Sequence, residues 1–421
     1  MKKLKIFFII LLAALLSSCF NNNSVKQFSL SNGLRVVFAK KDSPVTSAVF
    51  LIGAGKLTEK YQMAELMNNL ILEGSTIRTR QQIFQDIETN GGRIRVWTDD
   101  VTSTIEIRAP RKTFSRCFAI VCETISHPLF DKAHIERVIR DKLNKNKKRN
   151  SSLKEAAEIR KLLFKNSDVL IPDLEISEDI KPETLKKFYK DYYVPSNIVV
   201  AFSGDFDSNE MLKVLSLCWE RGKDRQKKVR HKINIGTYAD NLRIVKYSEE
   251  KNTKVVVALR MPGMYEKGYF EGIILRKVFA ARMNSVLENE LRKINIKPEN
   301  LRSYYFYDYG FGYWVIKITG EKSDTEKIEK IILQSMEKIK DQGVDQKYFE
   351  TGKRKVLFDM AYKGQFSSSR ATVLAYMVYC GLKDISYQSY CKKYNTVDID
   401  QINEFAKQIF NKPAVILYKS R

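Results

Sequence analysis

The sequence predicts an α+β protein made of two copies of one unit, on three observations. Apolar residues alternate in short runs, the period of a half-buried strand, and elsewhere recur three and four apart, the period of a helix face. The two kinds of segment are intermixed along all 421 residues. Their order in the first two hundred residues then returns in the second two hundred. Composition is ordinary for a globular protein, at 44% hydrophobic and 29% charged, and the length allows sizeable cores.

The elements follow in order. Residues 1–18 read as a signal peptide: Lys2, Lys3 and Lys5 are basic, and Ile6 to Leu16 is apolar but too short to span a membrane. Asn-rich residues 19–26 read as a tether. After the Asn32-Gly33 turn, Leu34–Ala39 and Ser47–Ile52 are expected strands. A helix over Met63–Ile71 has Met63, Leu66, Met67, Leu70 and Ile71 on one stripe, with Gly74 positioned for a left-handed stop. Glu65, Asn68 and Asn69 share its other face. Arg78–Asn90 is a second helix, ended by Gly91-Gly92. Strands Arg93–Thr98 and Thr102–Ala109 come next, then helix Thr113–Ser126 and a long helix from Lys132.

Helix Pro182–Tyr192 and strand Asn197–Ser203 close the first unit, Pro195 blocking the helix from continuing. Residues 221–240 are basic, poor in apolar residues and aperiodic, the character of a linker. Beyond them the pattern returns with strands Leu242–Tyr247 and Val255–Arg260, a helical region Gly268–Lys293 and strand Trp314–Thr319. Ser323-Asp324-Thr325-Glu326 has the form of a capping box, opening a helix that stops at Gly343. The repeat is visible residue by residue. Phe130-Asp131 with Ile135-Glu136 matches Val344-Asp345 with Phe349-Glu350, and Thr184–Phe188 before one strand matches Gln401–Phe405 before Ala414–Tyr418. The expected divisions are a first domain over 27–220, a linker over 221–240 and a second domain over 241–421.

Two stretches resemble the pitrilysin/insulinase family of zinc peptidases. In that family a Gly-containing strand end leads into a helix carrying His-x-x-Glu-His and a Gly-Thr-like stop. Here Gly53-Ala54-Gly55 precedes the helix, and Glu73-Gly74-Ser75 matches the stop. That alignment puts Glu65, Asn68 and Asn69 where His, Glu and His belong. The phrase Tyr192-Tyr193-Val194-Pro195-Ser196-Asn197, leading into an apolar strand ending at Gly204-Asp205, is the second resemblance. It covers essentially the whole chain after the tether. It implies two similar domains, each a mostly antiparallel sheet with helices packed on it, facing across a cavity.

The same alignment shows what is missing. Zinc takes imidazole, thiolate or carboxylate, and the peptidase reaction adds a Glu as base. A neutral Asn amide is a poor substitute for either role and the single carboxylate of Glu65 is not a site, so no metal, no cofactor and no catalytic residue is expected. The family's third ligand, a Glu on the long helix, falls near Asp141–Lys142, and Lys142 disfavours a cation there. His127, His134 and His231 have no partner at ligand spacing. The family's second domain contributes an Arg and a Tyr that hold substrate. Arg292, in Glu290-Leu291-Arg292, and Tyr304 match them, with Tyr305 or Tyr307 as alternatives after the longer loop.

Some bacterial members of the family work as unlike pairs, one subunit with His-x-x-Glu-His and one with the Arg-Tyr elements. The resemblance implies the second kind: a non-catalytic subunit enclosing peptides or unfolded polypeptide with a zinc-bearing partner. The alternatives are a peptide-binding or scaffold lipoprotein without a peptidase partner, and a zinc metallopeptidase using Glu65 and Asp141. Leu16-Ser17-Ser18-Cys19 resembles a bacterial lipobox, which implies lipid attachment at Cys19, a membrane anchor and a place in the bacterial cell envelope. Cys117, Cys122, Cys218, Cys380 and Cys391 read as small buried hydrophobes, and spacing assigns no disulfide.

The net charge of +24 is densest in Lys142–Arg149 and Arg221–Lys232. Neither run interleaves aromatics for base stacking, so nucleic acid is not an expected partner. Solvated helix faces, or attraction to anionic headgroups and acidic peptides, fit these runs.

Overall fold

The computed structural model describes residues 25–58, 62–169, 180–219, 234–237, 242–248, 252–297 and 300–420. The signal peptide, Cys19, His231 and most of the linker lie outside them. In chain order the strands are β1 (Val25–Ser29), β2 (Arg35–Lys40), β3 (Val45–Ile52), β4 (Arg93–Thr98), β5 (Ser103–Pro110), β6 (Ile198–Gly204), β7 (Arg243–Ser248), β8 (Thr253–Met261), β9 (Leu301–Asp308), β10 (Phe311–Gly320) and β11 (Ala414–Ser420). The helices of the first half are α1 (Met63–Leu70), α2 (Arg80–Thr89), α3 (Phe114–Ser126), α4 (Lys132–Leu163), α5 (Pro182–Tyr192) and α6 (Ser208–Trp219). Those of the second are α7 (Tyr269–Ala280), α8 (Val286–Arg292), α9 (Thr325–Gln342), α10 (Gln346–Lys363), α11 (Ser367–Tyr379), α12 (Tyr387–Thr396) and α13 (Ile399–Ile409). β1 begins at Val25 and pairs with β2, so the last two residues expected in the tether are strand. Among the described residues no helix is long and apolar enough to cross a membrane.

The repeat is present at the level of topology. The first sheet runs β1-β2-β6-β3-β5-β4 and the second β7-β11-β8-β10-β9. Without β1 the two orders correspond strand for strand. In each, one parallel pair (β2 with β6, β7 with β11) joins an otherwise antiparallel sheet. The matched helix starts correspond as well: Asp131 Oδ1 accepts from the Ala133 N–H, and Asp345 Oδ1 from the Lys347 N–H.

The compact units are not contiguous halves of the chain. One comprises Met1–Leu153, Ile171–Lys232 and Ala361–Ser389; the other comprises Lys154–Leu170, Ile233–Met360 and Tyr390–Arg421. This division differs from the expected 27–220 and 241–421, because each unit takes a helix from the other half of the sequence. In the first unit α11 packs on β3 and β6. Ser47 Oγ meets Ser367 Oγ at 2.8 Å, and Arg370 Nε donates to Ser203 Oγ at 2.9 Å. A sheet covered on both faces needs apolar residues at successive positions, which is how β6, Ile-Val-Val-Ala-Phe-Ser-Gly, reads. In the second unit the C-terminal part of α4 plays this role. Glu155 pairs with Lys254 at 2.8 Å and with Lys317. Burial opposes ionisation of Glu155, but the two ammonium groups outweigh it and hold its carboxyl below the usual range.

Several local expectations change. The capping box at Ser323 does not form. The helix starts at Thr325 after a 3₁₀ turn, and the Thr325 hydroxyl donates to Thr253 Oγ1 instead. Capping boxes form instead at Thr79 with Gln82 and at Asp398 with Gln401. The helical region 268–293 breaks at 281–285, where Ser285 caps α8. Leu301–Asp308, to which the sequence pattern assigns no element, is the edge strand β9.

Asn197 fixes the approach to α1. Its Nδ2 donates to Tyr192 O at 2.9 Å and to Gly53 O at 3.2 Å, and the Gly53 N–H donates to Asn197 O at 3.0 Å. A Cβ on Gly53 would collide with the Asn197 side chain. The next residues are tied to the β4–β5 turn, Lys56 N to Asp99 O and Leu57 N to Asp100 O. Asn197→Ala leaves those carbonyls without their donor in a buried site. It should lower the free energy of unfolding by about 1–3 kcal/mol in urea titration, whereas an exposed control such as Asn144→Ala should change it by less than about 0.5 kcal/mol.

Candidate functional site

The expected apolar stripe of α1 is in place, with Met63, Leu66, Met67, Leu70 and Ile71 all at or below 4% exposure. Each such side chain contributes about 1.5–3 kcal/mol by leaving water. The helix tightens into a 3₁₀ turn over Ile71–Glu73 and stops at Gly74, whose φ of 152° and ψ of 161° is an extended glycine conformation rather than the expected left-handed one.

The three residues of the other face have three different environments. Asn68 is 1% exposed and points into the sheet. Its Nδ2 donates to Trp97 O at 2.8 Å, to Thr98 Oγ1 at 3.2 Å and to Thr104 O at 3.4 Å. It therefore joins α1 to β4 and β5. Asn69 turns back on its own helix, donating to Glu65 O at 2.7 Å. Glu65 forms an ion pair with Lys142 of α4, both side chains being mostly buried.

The register on α4 follows from this contact. Lys142 faces Glu65, and Asp141 is exposed to solvent. The ammonium of Lys142 supplies a positive charge beside the carboxylate, where a bound cation would otherwise be the natural counter-charge. A second pair lies eight residues beyond Glu65, in the 3₁₀ turn that follows α1, and five residues back along α4. Glu73, with a 5% exposed side chain, meets Arg137 at 2.9 Å and also pairs with Arg80. Glu73 and Arg137 carried no functional expectation, although their spacing from Glu65 and Lys142 is visible in the sequence.

These groups do not fit zinc. One carboxylate is already neutralised by a lysine, one amide donates to backbone, and the other donates to its own helix. Among the described residues no three His, Cys, Asp or Glu side chains gather where they could hold a metal ion. His127 Nδ1 lies 2.8 Å from Ser126 Oγ, and His134 Nδ1 lies 3.1 Å from Asp131 Oδ1, both at helix ends.

Arg292 and Tyr304 belong to the second unit. Arg292 ends α8 and pairs with Glu288, whose side chain is 2% exposed and also accepts from the Asn284 N–H. Its first task is to neutralise that buried carboxylate, while more than half of its own side chain stays exposed. Tyr304 is 43% exposed on the edge strand β9, beside exposed Phe306. Tyr305 is committed elsewhere, its hydroxyl donating to Pro262 O at 2.7 Å. Tyr307 is 40% exposed.

Comparison with known proteins accounts for this framework. Residues 35–165 match the model of insulinase (peptidase family M16), and residues 179–356 match that of the peptidase M16 inactive domain. The uncharacterized zinc protease YmxG of Bacillus subtilis is 18% identical over 410 residues, covering 92% of this chain and 96% of that protein. Among solved structures, a protease from Helicobacter pylori superposes with a TM-score of 0.81 at 17% identity, over 94% of this chain and 99% of the other. A peptidase M16 inactive domain from Pseudomonas fluorescens gives 0.80 at 16% identity, over 94% and 98%. With both family models matched in chain order and the fold shared end to end, the chain belongs to the insulinase family of M16 peptidases.

Proposed function

We propose that this protein is a non-catalytic insulinase-like subunit that binds and helps enclose peptides or unfolded polypeptide for a zinc-bearing partner of the same family. The observation that carries the reading is the pairing of Lys142 with Glu65, together with the commitment of Asn68 to the sheet. Hydrolysis by this fold's chemistry needs a water activated on a metal and a carboxylate base. Here the position of the base is an amide donating to a carbonyl, and the position of the cation is next to an ammonium.

Peptide binding needs neither group. Tyr304 on the edge strand β9 offers a partly exposed aromatic face, and an extended peptide can use that face together with the strand's edge. Arg292 can offer a guanidinium fork to a carboxylate or carbonyl of the same peptide. We further propose export and anchoring through Cys19, which would put the protein in the bacterial cell envelope.

Two outcomes follow. The purified chain alone should leave an unfolded polypeptide intact, and cleavage should appear when a co-purifying His-x-x-Glu-His subunit is added. Cleavage by the isolated chain overturns the reading, and failure to recover any such partner supports a free-standing peptide-binding lipoprotein. In the two-subunit enzyme, Tyr304→Ala should raise KM about 3–10-fold with little change in Tm, a loss of about 1 kcal/mol of binding. An unchanged KM removes Tyr304 from the substrate path. Arg292→Ala is the poorer probe, because it also strands Glu288.

A further inference from the structure

Among the described residues β9 is an edge strand of the second sheet, and its side chains divide between two faces with the strand period of two. Tyr305 and Tyr307 turn toward α7, their rings 6.3 Å and 5.1 Å from that of Tyr269. Arg302, Tyr304 and Phe306 take the opposite face, where Tyr304 and Phe306 are 43% and 45% exposed. These two rings lie 6.0 Å apart. Phe306 also sits directly across from Tyr313 of β10 and stacks on it at 4.9 Å, with 21° between the ring planes. Tyr313 is buried, and Arg160 of α4 donates to its hydroxyl from Nε at 3.3 Å. A row of rings thus starts against α4 and runs out onto the open edge.

Edge strands in soluble proteins are commonly guarded by charge, proline or a bulge. Here the two mid-strand positions of the outward face are aromatic, β9 has no proline, and it pairs with β10 without a bulge. The row continues to exposed Arg302, opposite Lys317 of β10, so that end carries positive charge.

We infer, resting on the reading that this chain binds extended peptide, that β9 selects its peptide by side chain. The segment it takes runs antiparallel to β9, with large apolar residues at two alternate positions and an acidic residue two further on. Antiparallel addition continues the pattern of β8, β10 and β9. A peptide running that way meets Phe306 first, then Tyr304, then Arg302. Side chains on one face of a strand repeat every ~6.8 Å, close to the separation of the two rings, so each apolar side chain finds a ring beside it. The guanidinium of Arg302 suits a carboxylate at the third position.

The test measures fluorescence anisotropy of a labelled peptide, Thr-Phe-Thr-Phe-Thr-Glu-Thr, with the full chain and no partner subunit. Replacing either Phe by Ser should weaken binding about 3–10-fold, and placing the two Phe side by side should weaken it as much, because only one then faces the row. Replacing Glu by Lys should also weaken it, and Arg302→Glu should reverse that preference. Phe306→Ala should erase the difference between Phe and Ser at the first position, while Ile77→Ala, exposed in the first unit, should change nothing. Should Phe306→Ala lower Tm by loss of its stack on Tyr313, the charge reversal at Arg302 decides. Equal binding of all these peptides overturns the selection and leaves peptide binding standing, whereas binding of none overturns both. A dimer in sedimentation that Phe306→Ala dissolves would put a second copy on β9 and overturn the selection as well.

Discussion

Lys142 reaches across from the long helix α4 to Glu65 on α1, and the first unit's candidate site takes its character from that contact. A carboxylate moved out of water needs a counter-charge or it protonates. In a metal site the counter-charge is the ion. Here a lysine from the same chain provides it, so the carboxylate is satisfied by folding alone. The Glu73–Arg137 pair repeats this between the turn that follows α1 and the long helix α4. The frame that would position a metal is thus joined by internal ion pairs.

The asparagines follow the same logic of satisfaction without a ligand. An amide in the place of the base can donate, which a carboxylate at neutral pH cannot do. Asn68 uses that capacity on Trp97 O, Thr98 and Thr104 O, closing the gap between α1 and the β4–β5 hairpin. Asn69 spends its amide on Glu65 O. The second unit shows a parallel case. Arg292, at a position that resembles a substrate-holding arginine, is tied to the buried carboxylate of Glu288. Any substrate contact by Arg292 would therefore compete with neutralisation of Glu288, while Tyr304 has no such duty among the contacts of the described residues.

Much of this was legible before any coordinates. The period of three and four in Met63–Ile71 identified the helix and its buried face, because that pattern depends only on local geometry. The repeat was legible because both copies use the same helix-start chemistry at Asp131 and Asp345. What escaped were features decided by long-range packing. Leu301–Asp308 has polar and aromatic residues at nearly every position, since an edge strand need not alternate. Nothing in Ser367–Tyr379 announces that α11 packs on β6 and on β3, the latter more than three hundred residues earlier. The sequence does not choose between Asp141 and Lys142 on α4, since one residue rotates a helix by about 100°, and only the packed helix decides which side chain faces α1.

The Lys142 ammonium stands beside Glu65 where a metal ion would otherwise supply the counter-charge in this insulinase-family frame. Zinc titration of the purified chain by calorimetry, with metal content measured after dialysis, tests it most directly. The account predicts no stoichiometric zinc in the wild-type protein. One tightly held zinc per chain, lost on Glu65→Ala, would contradict it.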